Sequence, residues 1–299
     1  MKNVLVLMST YNGERYIQEQ IDSVLAQQGV NARLLVRDDG STDSTIDILK
    51  KYKDQGLLDF VCGDNIGWRN SFMELIYTAP QSDYYAFCDQ DDIWLPEKLS
   101  VAINALQKED NSIPLMYGSN LWYYKNGQKE GLLRLNPNFS KQTCLVRALT
   151  CGCTLVFNEQ LLNLLKHNRP NYIEAHDSWV FMVAMYFGKV IYDSNAYVLY
   201  RQHEDNQIGA NKTLSYRFKR FWSSIFKIQK ERSKSTAAQE FLRVFNDSLT
   251  ENDKLIVFKF ANYNTGFVAK MRLLIDGRYS VGGGLSELSL KLKILTSAL

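Results

Sequence analysis

Residues 4–36 read VLVLMSTYNGERYIQEQIDSVLAQQGVNARLLV. The opening run Val4-Leu5-Val6-Leu7 is apolar without interruption, as a strand covered on both faces of a parallel sheet has to be. Ile17, Ile21, Val24 and Leu25 then recur at helical spacing, and Leu34-Leu35-Val36 is a second apolar run. Strand, helix and strand in that order read as one βαβ unit. The alternation continues: Ser44 to Tyr52 as a helix with Ile48, Leu49 and Tyr52 inward, Asp59 to Cys62 as a strand, and Trp68 to Tyr77 as a helix. Tyr84 to Cys88 follows as a strand and Lys98 to Leu106 as a helix. An α/β domain is therefore expected, and in such sheets ligands lie at the carboxyl ends of the strands.

Beyond residue 110 the alternation loosens. Strands are expected at Met116–Tyr124, Thr154–Phe157 and Val190–Tyr200, and helices at Asn158–Lys166 and Asp177–Phe187. From about 211 the chain turns basic and aromatic. The expected organisation is an α/β domain over 1–210, regular to about 110 and looser over 111–210. A helical extension over 211–299 completes it.

Composition narrows the class. Of 299 residues, 45% are hydrophobic and 22% charged, which is globular rather than disordered, and a net charge of +3 is too small to argue for nucleic acid. The five cysteines, Cys62, Cys88, Cys144, Cys151 and Cys153, show no C-x-x-C pair, and their odd number suits buried reduced thiols better than a disulfide framework. The N-terminal apolar run meets Ser9, Asn12 and Glu14 too soon for a signal peptide, and Trp179–Phe187 is about half a membrane span. A cytoplasmic protein is expected.

The strand ends carry the polar chemistry. Ser9-Thr10-Tyr11-Asn12-Gly13-Glu14 has neither G-x-G-x-x-G nor a P-loop, and no Asp nucleophile of the haloacid phosphatase kind. Thr10 and Tyr11 offer a hydroxyl and an aromatic face to a base or ribose; the plain alternative is that Ser9, Thr10 or Asn12 caps the next helix. Arg37-Asp38-Asp39-Gly40-Ser41-Thr42-Asp43 reads as a tight turn presenting Asp39 to a ligand, with Asp43 or Ser44 as a helix cap, or else as capping and solvated turn residues throughout. Cys88-Asp89-Gln90-Asp91-Asp92-Ile93-Trp94 sets three carboxylates directly after an apolar strand. That is costly unless a cation compensates them, and a hard divalent ion bridging to phosphate would do so; an acidic surface turn is the alternative.

Taken together, STYNGERYIQEQIDSVLAQQ, DDGSTDST and DQDDIW resemble the family 2 inverting glycosyltransferases of GT-A fold, over residues 1 to about 210. The resemblance implies a mixed, mainly parallel sheet with flanking helices, in which 1–110 is the nucleotide-binding half and 111–210 the acceptor-binding half. It implies that Thr10, Tyr11, Asn12 and Asp39 hold the nucleoside of a nucleotide-diphosphate sugar, with Asp89 near the ribose and Asp91 nearest a Mn²⁺ or Mg²⁺ ion. In Ile173-Glu174-Ala175-His176-Asp177-Ser178-Trp179, the resemblance implies Asp177 as the catalytic base; the plain alternative is that it caps the helix that starts there. His-Asp in place of the commoner Glu-Asp is similar to the rhamnosyltransferase-like branch, which implies dTDP-L-rhamnose as donor; UDP-hexose and UDP-N-acetylhexosamine stay open. In Tyr200-Arg201-Gln202-His203, His203 matches a metal ligand from a C-terminal loop, and Arg201 is placed to fork onto diphosphate. The acceptor implied is a saccharide or a lipid-linked sugar in surface-polysaccharide assembly.

Between Asn211 and Lys234, eight Lys and Arg stand against Glu231 alone, and Phe218, Phe221, Trp222, Ile225 and Ile228 recur at helical spacing. Such a helix either lies peripherally on an anionic membrane face or packs its apolar side on the catalytic domain. Two other classes share parts of this pattern. A sugar nucleotidyltransferase would need a Gly-rich basic loop after strand one, which Ser9–Glu14 is not; a non-catalytic nucleotide-sugar-binding protein would keep every binding motif.

Overall fold

Each apolar run of the N-terminal part is a strand and each amphipathic stretch a helix. They are β1 (Lys2–Thr10), α1 (Ile17–Leu25), β2 (Val30–Asp38), α2 (Thr45–Asp54), β3 (Leu58–Cys62), α3 (Trp68–Thr78), β4 (Tyr84–Cys88), β5 (Ile93–Trp94) and α4 (Lys98–Leu106). The looser part gives β6 (Leu115–Lys125), β7 (Gln128–Leu132), the single turn α5 (Thr143–Val146), β8 (Val156–Asn158), α6 (Glu159–His167), α7 (His176–Phe187) and β9 (Lys189–Arg201). Among the described residues beyond β9 the α-helices are α8 (Ser233–Phe245), α9 (Glu251–Ala261), α10 (Phe267–Ile275) and α11 (Gly284–Leu295). This computed structural model describes residues 1–133, 139–147, 150–203 and 233–299. Most of the basic, aromatic helix expected over 211–234 lies outside the described residues.

One sheet runs β3-β2-β1-β4-β8-β6-β9-β5, with β7 paired to β6. β3, β2, β1 and β4 are mutually parallel. β8 then runs antiparallel to both β4 and β6, β6 and β9 pair in parallel, and β5 closes antiparallel on β9. Val4, Val6 and Met8 pack with Ile17, Ile21 and Val24 of α1 and with Leu99, Ala102 and Leu106 of α4 in one core cluster. On the opposite face Leu7 is buried too, and the rings of Phe72, Phe87 and Phe157 meet at 5.2–5.4 Å between centroids. β1 is thus covered on both sides, and each fully buried aliphatic side chain contributes about 1.5–3 kcal/mol.

Packing divides the described residues into two units, 1–133 with 150–167 and 187–203, and 139–147 with 168–186 and 233–299. A cut at residue 210 therefore does not follow the packing. The reason is visible on α7: Trp179 lies edge-on to Phe241 at 5.6 Å, Tyr186 tilts on Phe241 at 5.1 Å, and Phe245 tilts on Phe241 at 4.9 Å and on Trp179 at 6.2 Å. In the same unit Lys141 Nζ reaches both oxygens of buried Asp253 at 2.8 Å, and the Tyr279 hydroxyl donates to the Ile256 carbonyl at 2.7 Å. The greasy Trp179–Phe187 stretch is the core helix of this second unit.

Two positions in the sheet unit are exacting. A Cβ on Gly188 would stand 1.9 Å from the Pro114 carbonyl oxygen, which accepts the Lys189 amide at 2.9 Å at the start of β9. Gly188→Ala should therefore cost about 1–3 kcal/mol of stability, as overpacked sites do, read as a lowered urea midpoint. Lys98, the first residue of α4, is 1% exposed, with its Nζ 3.5 Å from the Trp94 ring centroid and no hydrogen-bond partner among the described residues. Burial pushes its amine down to about 8, against the opposing pull of Cys88, Cys153 and Asp92. The unfolded chain keeps that proton to about pH 10.4, so between the two values the unfolded state binds more protons and stability rises with pH. Relative to Lys98→Met, the parent should gain on the order of 2 kcal/mol across that window. Urea denaturation of both proteins at several pH values checks this, and parallel pH profiles would refute it.

Candidate active site

The register of β1 opposes Thr10 to Asp38 on one side and Met8 to Cys88 on the other. The loops after β1, β2 and β4 therefore leave the sheet along one edge. The first two are sewn together. The Asn12 amide donates to the Ser41 hydroxyl and Asn12 Oδ1 accepts the Thr42 amide, both at 2.8 Å, while the Glu14 carboxylate accepts the Ser44 amide at 2.9 Å. Asn12 has φ +48°, a left-handed conformation that asparagine tolerates. None of Ser9, Thr10 and Asn12 caps α1, which begins at Ile17 without a side-chain cap; the Ser9 hydroxyl meets that of Ser71 in α3 at 2.6 Å, and Thr10 and Asn12 serve loop-to-loop contacts. Asp43 accepts the Thr45 amide and hydroxyl at the start of α2, at 3.0 and 2.5 Å. Burial alone would raise its carboxyl, but these bonds and the Glu14 amide outweigh it and hold it low.

Gln90 joins the first loop to the third. Its Oε1 accepts from the Thr10 hydroxyl at 2.6 Å and the Tyr11 amide at 2.8 Å, and its Nε2 donates to the Tyr11 carbonyl at 3.2 Å. A Cβ on Gly13 would fall 2.6 Å from that Oε1 and 2.8 Å from the Thr10 hydroxyl, so the crossing needs glycine. Thr10 is buried, whereas Tyr11 and Asn12 are exposed at the loop surface. Nothing in residue type singles out Gln90 within an acidic run, and sequence reasoning missed it.

The paired acids after β2 turn inward. Asp38 accepts from the Gly40 and Ser41 amides at 3.1 and 2.9 Å and from the Ser41 hydroxyl at 2.5 Å, closing the turn. Asp39 was expected to face a ligand, yet it is 2% exposed and pairs with Arg37. It also accepts the Ile66 and Gly67 amides at 3.0 and 2.8 Å. As it stands, Asp39 fixes the segment between β3 and α3.

The three carboxylates after β4 separate. Asp91 Oδ2 lies 2.7 Å from His203 Nε2, across 112 residues of chain, and both side chains keep partial access to solvent. Asp92 is fully buried. It accepts the Arg201 amide at 3.2 Å and a hydrogen bond from Cys153, and its Oδ2 has no hydrogen-bond partner among the described residues. Burial first, and the charges of Asp91 and Asp89 second, raise its carboxyl well above the ordinary range. Burial likewise pushes the Cys153 thiol far up. Ligand atoms of Asp89, Asp92 and Cys153 come within 4.8 Å of one another, close enough to share one metal ion. Asp91 and His203, a carboxylate and an imidazole meeting at the rim, fit Mn²⁺ and less closely Mg²⁺.

Arg201 is already engaged. Its Nε donates to the Asp91 carbonyl at 3.0 Å, an Nη pairs with Glu19, and its guanidinium lies 4.8 Å from the Tyr16 ring centroid and 5.6 Å from that of Tyr124. The same Tyr16 ring stands 5.2 Å from His203. Arg201 and His203 are therefore held where β9 ends, beside the Asp91 loop.

Asp177 belongs to the second unit. It is not a cap: α7 starts at His176, the Trp179 amide donates to the Ala175 carbonyl, and Asp177 is the second helical residue. Its carboxylate accepts the Ser178 amide at 2.7 Å and is partly exposed. Burial pushes the neighbouring His176 down to about 4, against the pull of Asp177, so that imidazole is neutral near pH 7. Glu174, the other acid of the segment, is tied to Lys234 at 2.8 Å.

Comparison with known proteins identifies the family and the fold. The family model for glycosyl transferase family 2 matches residues 5–162. The chain is 32% identical over 231 residues to the dTDP-rhamnosyl transferase RfbG of Shigella flexneri, covering 71% of this chain and 77% of that one. It is 33% identical over 164 residues to the UDP-Glc:alpha-D-GlcNAc-diphosphoundecaprenol beta-1,3-glucosyltransferase WfgD of Escherichia coli, covering 54% and 62%. In fold it is similar to the mannosyltransferase PcManGT of Pyrobaculum calidifontis, solved with GDP-Man and Mn²⁺, with a TM-score of 0.58 at 15% identity over 99% of this chain and 85% of that one. The chain is a rhamnosyltransferase-like member of glycosyl transferase family 2, with the GT-A fold.

Proposed function

We propose that this glycosyltransferase moves L-rhamnose from dTDP-L-rhamnose to a saccharide or lipid-linked acceptor in cell-surface polysaccharide synthesis, with inversion at the anomeric carbon. The donor rests on the likeness to RfbG, and the likeness to WfgD favours a UDP-hexose as the second reading. The observation that carries the site is the Asp91–His203 contact at the edge where the β1 and β2 loops meet. In this reading 1–110 binds the nucleotide and 111–210 the acceptor, the chain works in the cytoplasm, and the 211–234 segment gives peripheral membrane contact.

Tyr11 and Asn12 meet the nucleoside on the exposed loop surface, Thr10 holds that loop through Gln90, and Asp39 fixes its neighbouring wall. Asp89 faces the ribose. Asp91 and His203 would hold Mn²⁺ or Mg²⁺, which supplies positive charge to the diphosphate leaving group. Arg201 adds a forked cation to that diphosphate by exchanging Glu19 for it. As the acceptor oxygen bonds to the anomeric carbon, the bond from that carbon to the diphosphate oxygen breaks and the acceptor proton passes to the Asp177 carboxylate.

Two variants test these roles. Asp91→Asn should leave melting unchanged while weakening Mn²⁺-dependent binding of the nucleoside diphosphate by about tenfold or more, since the site draws its affinity from charge. Calorimetric titration of dTDP and UDP with and without Mn²⁺ reads this, and unchanged Mn²⁺ dependence in the folded variant retires the assignment. Asp177→Asn removes a charge near a helix N-terminus, worth about 0.3–1 kcal/mol, and removes the proton acceptor. Donor affinity should hold while transfer falls by about 10²-fold or more. Transfer at the parent rate would sink Asp177 as the base. A parent protein that binds donor but neither transfers nor hydrolyses it would point to a non-catalytic binder.

A further inference from the structure

The second unit leaves an apolar face uncovered. On α11, Leu285, Leu288, Leu292 and Leu295 follow helical spacing along one stripe, and Leu285, Leu288 and Leu295 are 46–50% exposed. Leu290 and Ile294 form the opposite, buried stripe. On α10, Leu273 is buried while Val268 and Ile275, seven residues apart, are 62% and 77% exposed. The two helices pack together, and Lys270 Nζ donates to the Leu295 carbonyl at 2.9 Å, so the pair folds back as a hairpin.

The charge of this segment is net positive. Residues 251–299 hold seven Lys and Arg against four Asp and Glu, and that net of +3 equals the net charge of the whole chain. The acids are taken up internally. Asp253 binds Lys141, Asp276 binds Lys259 and Arg278, Glu251 binds Lys254, and Glu287 accepts the Ser280 hydroxyl and the Val281 amide. The exposed cations Arg272 and Lys291 have no acidic partner among the described residues. Each flanks an apolar stripe at helical spacing, Arg272 between Val268 and Ile275, and Lys291 between Leu288 and Leu295. Long cationic side chains beside an apolar stripe reach outward to headgroup level while the stripe enters the lipid. A second copy docked face to face would instead gather the Arg272 and Lys291 of both copies into one interface.

We propose that the α10–α11 hairpin seats this protein on an anionic phospholipid surface, with the leucine and isoleucine stripes in the interface and Arg272 and Lys291 at the phosphates. This deepens the peripheral-contact reading and rests on it, but on residues other than 211–234, and it is independent of the donor. The test is sedimentation of the full chain with mixed phosphatidylglycerol–phosphatidylcholine vesicles and with phosphatidylcholine alone. The parent should bind the anionic vesicles and be released by salt. I275E/L288E and R272E/K291E, with 211–234 intact, should each lower binding by about tenfold or more. Donor hydrolysis should persist in both variants, which separates a failed surface from a failed enzyme. A parent that ignores anionic vesicles at low salt, or R272E/K291E binding as the parent does, overturns the proposal. So does a solution dimer that light scattering finds in the parent and I275E/L288E dissolves.

Discussion

The register of β1 between β2 and β4 is the constraint on which the site depends. Because Thr10 opposes Asp38 and Met8 opposes Cys88, three loops distant in sequence end within reach of one another. A slip of one residue would turn Val4, Val6 and Met8 from the α1 side of the sheet to the other, so the core itself pins the register. Gln90 then converts strand register into loop register by binding both Thr10 and Tyr11. The cross-chain partner of Asp91 arrives by a second route, since β9 is fixed by its parallel pairing with β6 and by β5 on its far edge.

Beneath the acidic loop the protein accepts a costly arrangement. Asp92 and Lys98 are both buried, with Cys88, Cys153 and the Trp94 ring around them. Desolvation favours the neutral form of each, raising the Asp92 carboxyl and lowering the Lys98 amine to about 8. Asp92 accepts the Arg201 amide at the end of β9 and so ties the floor to the rim.

The second unit is built on different terms. Trp179, Tyr186, Phe241 and Phe245 make an aromatic core, and α7 belongs to it even though its first turn carries Asp177. Its outermost hairpin keeps exposed the kind of side chain that the sheet unit buries. An outward stripe of leucines is stable in water only at a cost, which is the physical ground for giving it a partner.

The sequence by itself determined the strands, the helices and their alternation, because burial on both faces leaves an unbroken apolar run and burial on one face leaves a 3.6-residue period. It also marked which loops end at the ligand edge, since parallel order sets that from chain direction alone. What it could not decide was where each polar side chain points, because loops have no period. Asp39 turned inward to Arg37 and to two amides, Asp92 sank to the floor while Asp91 stayed at the rim, and Gln90 became the link between loops. Nor could local pattern assign α7 to its unit, for its apolar residues suit any core. Only the tertiary structure, by bringing Phe241 and Phe245 onto Trp179 and His203 onto Asp91, decided both. Contacts between residues far apart in the chain leave no spacing to read.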